Sequence, residues 1–305
     1  AMRHAAKVLS HAFDLRCFPG FLARNRALAE VITRDQPSSE IMVRFSSARE
    51  GTLIACAHAG GDHAIYYRFL AKHLAGEHPV VAFQSEGLQG GVPQSSIEGL
   101  AAANVQQLLD EYPHHPVCLV GYCVGAVVAL EMAGQLERHG HAVRGVIVID
   151  SPIRRDVRNL RDWAHFSSLR PQWLAPVRYG MYHLGLRPLK WALEDLVLYT
   201  KGSADGRREF YRRRVERATL RAFTRYQPQP VYAPIHLVRS SWRADRSKYD
   251  LDVAGWQGLS RSGFTHETLP ADHEQMLLEP AVEQLAARVR QRLSAAAPRT
   301  APVTP

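Results

Sequence analysis

Gly121-Tyr122-Cys123-Val124-Gly125 holds the residues best placed to do chemistry. It follows an apolar run, Val117-Cys-Leu-Val, and opens a helical pattern. That is the setting of a nucleophile elbow, a sharp strand-to-helix turn with the nucleophile at its tip, here cysteine where serine is usual. Gly121 and Gly125 remove side chains that would collide across so tight a turn. The helix behind Cys123 offers unpaired N–H groups and the positive end of its dipole, a field that favours negative charge on the nucleophile. Acyl transfer is the chemistry such a residue performs.

A nucleophile of this kind needs a base, an acid to orient the base, and donors for an oxyanion. The chain has 15 histidines, and His273 stands out by position. It lies in Leu269-Pro-Ala-Asp-His-Glu-Gln-Met-Leu-Leu, between the expected last strand and the last helix, where a hydrolase places its base. Two carboxylates compete to orient it. Asp150 ends the apolar run Gly145-Val-Ile-Val-Ile-Asp, and Asp245 follows Pro234-Ile-His-Leu-Val-Arg, in Trp242-Arg-Ala-Asp. Asp150 is preferred because no acidic neighbour stands beside it, whereas charges crowd Asp245. For the oxyanion, Val124 supplies one N–H as the residue after the nucleophile. The second falls to Ala59, in the small-residue loop Ala57-His-Ala-Gly-Gly.

These residues need a frame, and the sequence indicates one. Apolar runs at 41–47, 52–59, 78–84, 116–122, 145–150 and 234–239 are nearly unalternating, as strands buried on both faces of a parallel sheet are. Between them lie helical patterns at 64–75, 95–112, 124–139 and 279–293. The second opens with Ser95-x-x-Glu98, read as a capping box, and the third stops at Gly140. The alternation predicts a doubly wound, mostly parallel α/β domain of the α/β-hydrolase type. Residues 152–230 interrupt it, rich in Arg, Trp and Tyr, and too long for a plain crossover; an inserted helical lid is expected there. The segment 294–305 is poor in apolar residues and is expected to be a disordered tail.

Composition narrows the function classes. Hydrophobic content is 46% and charged content 22%, ordinary for a globular protein. No apolar run nears the roughly 18 residues of a membrane span, and Ala1 to Lys7 is polar and basic, unlike a secretory leader. Cys17, Cys56, Cys118 and Cys123 lack metal-ligand spacing. No metal, no membrane and a cytoplasmic location are expected. The net charge is +9, with a dense arginine stretch at 207–221 but no nucleic-acid motif. An acidic protein partner is expected instead of nucleic acid.

His58-Ala-Gly-Gly, Gly121-Tyr-Cys-Val-Gly, Val148-Ile-Asp-Ser and Asp272-His-Glu-Gln-Met-Leu, in this order from about Ile41 to Leu293, resemble the thioesterase domains of nonribosomal peptide and polyketide synthetases. The resemblance implies release of a peptidyl chain brought on the phosphopantetheine arm of an upstream carrier domain, with no cofactor in the domain itself. It places the acid at Asp150, as in integrated chain-releasing domains; stand-alone editing thioesterases carry theirs later, near Asp245. Residues 1–40 then read as a linker or the tail of the carrier domain. Cysteine at 123 resembles the few release domains tied to strained four-membered rings, the β-lactam of monobactams such as sulfazecin and the β-lactone of obafluorin. The expected reaction is cyclising release from Cys123. The alternatives are a hydrolytic or editing thioesterase giving free acids and a catalytically inactive docking module.

Overall fold

The computed structural model describes residues 41–60, 63–90, 92–153, 204–241 and 250–295. Seven strands make one sheet: β1 (Met42–Arg44), β2 (Leu53–Ala57), β3 (Val80–Phe83), β4 (Val117–Tyr122), β5 (Val143–Ile149), β6 (Ile235–Ser240) and β7 (Phe264–Leu269). Their spatial order is β1-β3-β2-β4-β5-β6-β7. β1 is antiparallel to β3, and the other pairings are parallel. The unbroken apolar runs have the expected cause. All five residues of β2 and the first five of β4 are buried, each covered on both faces. Each fully buried Leu, Ile or Val contributes roughly 1.5–3 kcal/mol.

The helices are α1 (Arg68–Leu74), entered through a 3₁₀ turn at Ala64–Tyr67, α2 (Ile97–Glu111), α3 (Gly125–Arg138), α4 (Ala204–Arg225), α5 (Asp250–Gln257) and α6 (Ala281–Ala295). The cap of α2 corrects the sequence reading by one residue. Ser96, not Ser95, holds the extended N-cap conformation, and its hydroxyl accepts the N–H of Gly99. Gly140 ends α3 as expected, at φ +71°, with its N–H on the Glu137 carbonyl.

Right-handed crossovers sort the helices between the faces. The step from β2 through α1 to β3 moves toward β1, while those from β3 through α2 to β4 and from β4 through α3 to β5 move the other way. α1 therefore covers one face and α2 and α3 the other. α2 packs on α3, and α6 packs on α1. The onward connections of β2 and β4 leave in opposite directions, which opens a crevice beyond their carboxyl ends, where doubly wound sheets bind ligands. Cys123 and the loop from Ala57 lie there.

The chain divides into two compact units, residues 1–35 with 156–210 and residues 36–155 with 211–305. The second carries the sheet; of the first, only 204–210, the start of α4, are described. Of the lid expected over 152–230, residues 154–203 lie outside the described residues. So do Asp245, the segment 1–40 and the tail from 296, whereas α6 continues through Ser294 and Ala295. Among the described residues, no helix is long and apolar enough to cross a membrane, and no His, Cys, Asp and Glu cluster could hold a metal ion.

Candidate active site

β4 ends at Tyr122, and α3 begins only three residues later. Cys123 makes the turn at φ +55°, a left-handed conformation unusual for a residue with a side chain. Its N–H donates to the Ile149 carbonyl at 3.0 Å, and its carbonyl accepts from Ala126 at 3.1 Å. The two glycines make the bend sterically possible. A Cβ at Gly121 would stand 2.3 Å from Ala126 Cα, and one at Gly125 would stand 2.4 Å from the His58 carbonyl oxygen. Fully buried Tyr67 braces the turn from below. Its hydroxyl donates to the Ala57 carbonyl at 2.7 Å and accepts the Tyr122 N–H at 2.9 Å, tying the ends of β2 and β4 together.

Asp150 follows β5 at φ +47° and has no exposed surface. Three contacts hold it and its neighbour. Its N–H donates to the Val238 carbonyl at 2.8 Å, its Oδ1 accepts the Ser240 N–H at 2.8 Å, and Trp256 Nε1 donates to the Ser151 carbonyl at 2.8 Å. Its Oδ2 lies 2.6 Å from His273 Nδ1. His273 starts a 3₁₀ turn, His273–Gln275, after β7, and Asp272 and Gln275 cap that turn reciprocally. The imidazole also hydrogen-bonds Cys123. Burial pushes His273 down, but hydrogen bonds and charge from Asp150 and Cys123 outweigh it and hold the group up at about 9. The structure thus joins Cys123, His273 and Asp150 in one chain of contacts.

Ala59 and Val124, whose N–H groups are expected to receive an oxyanion, lie just after β2 and just before α3. Ala59 and Val124 are buried, and among the described residues neither N–H donates a hydrogen bond. A Cβ at Gly60 would meet Val124 Cγ2 at 3.9 Å, so the loop lies close to the head of α3.

Two features escaped the sequence reading. Tyr122, noted only as an elbow residue, holds His273. Its ring stacks on the His273 ring with centroids 4.7 Å apart at 25°, and its hydroxyl donates to the His273 carbonyl at 2.9 Å. His58, quoted only as part of a motif, is fully buried with Nδ1 3.0 Å from the Ala59 carbonyl and 3.0 Å from Ser85 Oγ. Burial lowers its basicity. A neutral imidazole therefore fixes the peptide that follows Ala59. The motif named His58, but nothing in the sequence pointed to Ser85, which meets it from the end of the neighbouring strand β3.

The family model described as a thioesterase domain matches residues 51–293. The chain belongs to the thioesterase domain family. Among curated relatives of this thioesterase domain, indigoidine synthase of Dickeya dadantii is 24% identical over 86% of the chain and 18% of its own length. Chondramide synthase cmdD of Chondromyces crocatus is 26% identical over 94% of the chain and 7% of its own length. The chain thus spans less than a fifth of either relative. Among solved structures, the NocB thioesterase domain in covalent complex with a fluorophosphonate nocardicin G analogue has a TM-score of 0.60 at 20% identity, covering 83% of this chain and all of that one. The Vlm2 thioesterase domain with a bound dodecadepsipeptide has a TM-score of 0.60 at 21% identity, covering 82% and 97%. The four-domain nonribosomal peptide synthetase AB3403 has a TM-score of 0.62 at 24% identity, covering 87% and 21%. These likenesses establish the α/β-hydrolase fold. A thioesterase domain needs no cofactor of its own.

Proposed function

We propose that this thioesterase domain releases a peptidyl chain from a carrier-bound phosphopantetheine thioester by way of Cys123, and that release is an intramolecular cyclisation to a strained four-membered ring, a β-lactam or β-lactone. The observation that carries the reading is the Cys123–His273–Asp150 chain of contacts, with the N–H groups of Ala59 and Val124 donating to no acceptor among the described residues. In the first half, His273 takes the thiol proton, Cys123 Sγ bonds the acyl carbon, and the arm's sulfur leaves with the proton from the imidazolium. The oxyanion formed on the way is received by the Ala59 and Val124 N–H groups. In the second half, His273 takes the proton of an amine or hydroxyl within the peptide. That atom closes on the acyl carbon, and Cys123 leaves. Holding both reacting ends in one cavity supplies much of the rate.

Cysteine suits a strained product. Passing the chain from one thioester to another is nearly energy-neutral and keeps the acyl group activated. An oxoester on serine is more resonance-stabilised and a poorer donor. Cys123→Ser is therefore expected to acylate yet cyclise poorly, accumulating acyl-enzyme or leaking free acid. The ratio of cyclic to hydrolysed product from the peptidyl thioester measures this. An unchanged ratio and rate with serine removes the chemical reason for the cysteine and leaves ordinary macrocyclisation or hydrolysis.

Asp150 is the orienting acid in this reading. In Asp150→Asn, the Ser240 N–H retains the amide oxygen, so the amide NH₂ turns toward His273 Nδ1. That favours the wrong imidazole tautomer. Turnover is expected to fall roughly ten- to a thousandfold, less than in serine triads because a thiol needs less help than a hydroxyl. Steady-state rates of Asp150→Asn and Asp245→Asn decide between the two acids: a crippled Asp245 variant beside a normal Asp150 variant reverses the assignment.

A carrier domain upstream is the partner this function requires. The net charge of +9 suits an acidic partner of that kind.

A further inference from the structure

We propose that the site has a second activity, acyl exchange between thiols: a chain held on Cys123 passes back to free thiols of the pantetheine class, so loading is reversible. This rests on the reading of Cys123 as the acylated residue.

The bond types set the equilibrium. A chain on Cys123 is a thioester, as it was on the thiol that delivered it. The equilibrium between two such thioesters lies near unity, and the return step has no thermodynamic slope to climb. The geometry then serves both directions alike. The Ala59 and Val124 N–H groups receive the same tetrahedral oxygen whichever sulfur attacks, and Cys123 is only partly buried, within reach of an arriving thiol.

The base is also set correctly for the return. In the free enzyme, Asp150 and Cys123 together hold the His273 imidazole up against its burial. Acylated sulfur carries no charge, so after loading the support of Cys123 is gone and that of Asp150 remains. His273 is then held less strongly in its protonated form, so more of it is free base when a second nucleophile arrives. A free thiol, with an ordinary pKa near about 8.5, surrenders its proton to imidazole far more easily than water does.

The step balances without any redox partner. The incoming thiol gives its proton to His273, and its sulfur bonds the acyl carbon. The oxyanion collapses, the bond from that carbon to Cys123 Sγ breaks, and Cys123 recovers the proton from the imidazolium. A chain that fails to cyclise thus returns to the thiol that brought it instead of being lost as acid.

The test uses the full chain, an acyl N-acetylcysteamine thioester lacking an internal nucleophile, and excess pantetheine. Acyl-pantetheine, free acid and the mass of the intact protein are followed together. The wild type is expected to form acyl-pantetheine above the uncatalysed background, at least as fast as free acid. Cys123→Ala is expected at background. Cys123→Ser should still take the acyl group and release acid, with its exchange-to-hydrolysis ratio about tenfold lower or more, because the oxoester is the poorer donor to sulfur. An acyl-Cys123 mass with acyl-pantetheine at background overturns the exchange and leaves the nucleophile assignment standing. Exchange that survives in Cys123→Ala overturns both.

Discussion

Cys123→Ala is expected to abolish turnover of an acyl thioester and to leave the intact protein at its unmodified mass. Loss of the attacking residue of such a chain costs on the order of 10⁴-fold or more in rate. The variant should fold, since the elbow strains the backbone and a smaller side chain there relieves crowding. Mass spectrometry after incubation with a thiol-reactive acyl probe gives the answer directly. An acyl-enzyme that persists in the variant removes Cys123 from the mechanism. His273→Ala is a poorer companion experiment than its loop position implies. Its imidazole donates to the fully buried Oδ2 of Asp150, and taking away the partner of a buried polar group costs about 1–3 kcal/mol. His273→Gln keeps an amide donor within reach of Asp150 and is expected to lose turnover with less loss of stability.

The second large effect is on the fold. Gly121→Ala forces a Cβ to within 2.3 Å of Ala126 Cα and 2.4 Å of the Gly125 carbonyl oxygen. Both are backbone atoms at the start of α3, so no rotamer change relieves the clash. Overpacking alone costs about 1–3 kcal/mol, and displacing the helix start from β4 places this variant at or above that range. For a domain of this size, about 3 kcal/mol lowers the Tm by roughly 6–12 °C. Gly76→Ala is the control: a Cβ there meets nothing within 4 Å, and its melting curve should overlay that of the wild type. Matching curves for Gly121→Ala and the wild type would show that β4 and α3 do not approach this closely.

What was legible in the sequence follows from burial. Strands covered on both faces, such as Leu53–Ala57 and Val117–Tyr122, read as unbroken apolar runs, and every such run is a strand in the structure. β7, Phe-Thr-His-Glu-Thr-Leu, lies at the sheet edge with only Leu269 buried, so its polar residues hid its limits. α5, eight residues opening Asp-Leu-Asp, presents no apolar stripe long enough to recognise. At the site, Cys123 and Asp150 each follow directly on an apolar run that is a strand, whereas His273 follows the polar β7 and was singled out by its place just before the last helix. The stacking of Tyr122 on His273 was not readable. It depends on how a turn after β4 and a turn after β7 meet in space, and no spacing along the chain records that. The clasp of Ser240 on Asp150 was hidden for the same reason, since it is set by the register of β5 against β6.

The hydrogen bond from Cys123 to Ile149 has an engineering consequence. It joins the nucleophile to the residue immediately before the acid, so these two side chains are spaced by neighbouring strand ends and by no loop. The base alone hangs from a connection, the short path from Leu269 to His273. Swapping surface segments from relatives, or resizing whatever covers the crevice, leaves the nucleophile and acid at their fixed separation. Inserting a single residue between Leu269 and His273 displaces the base by itself. The length of the 269–273 path is therefore the feature that chimeras of this chain must keep if His273 is to stay against Asp150.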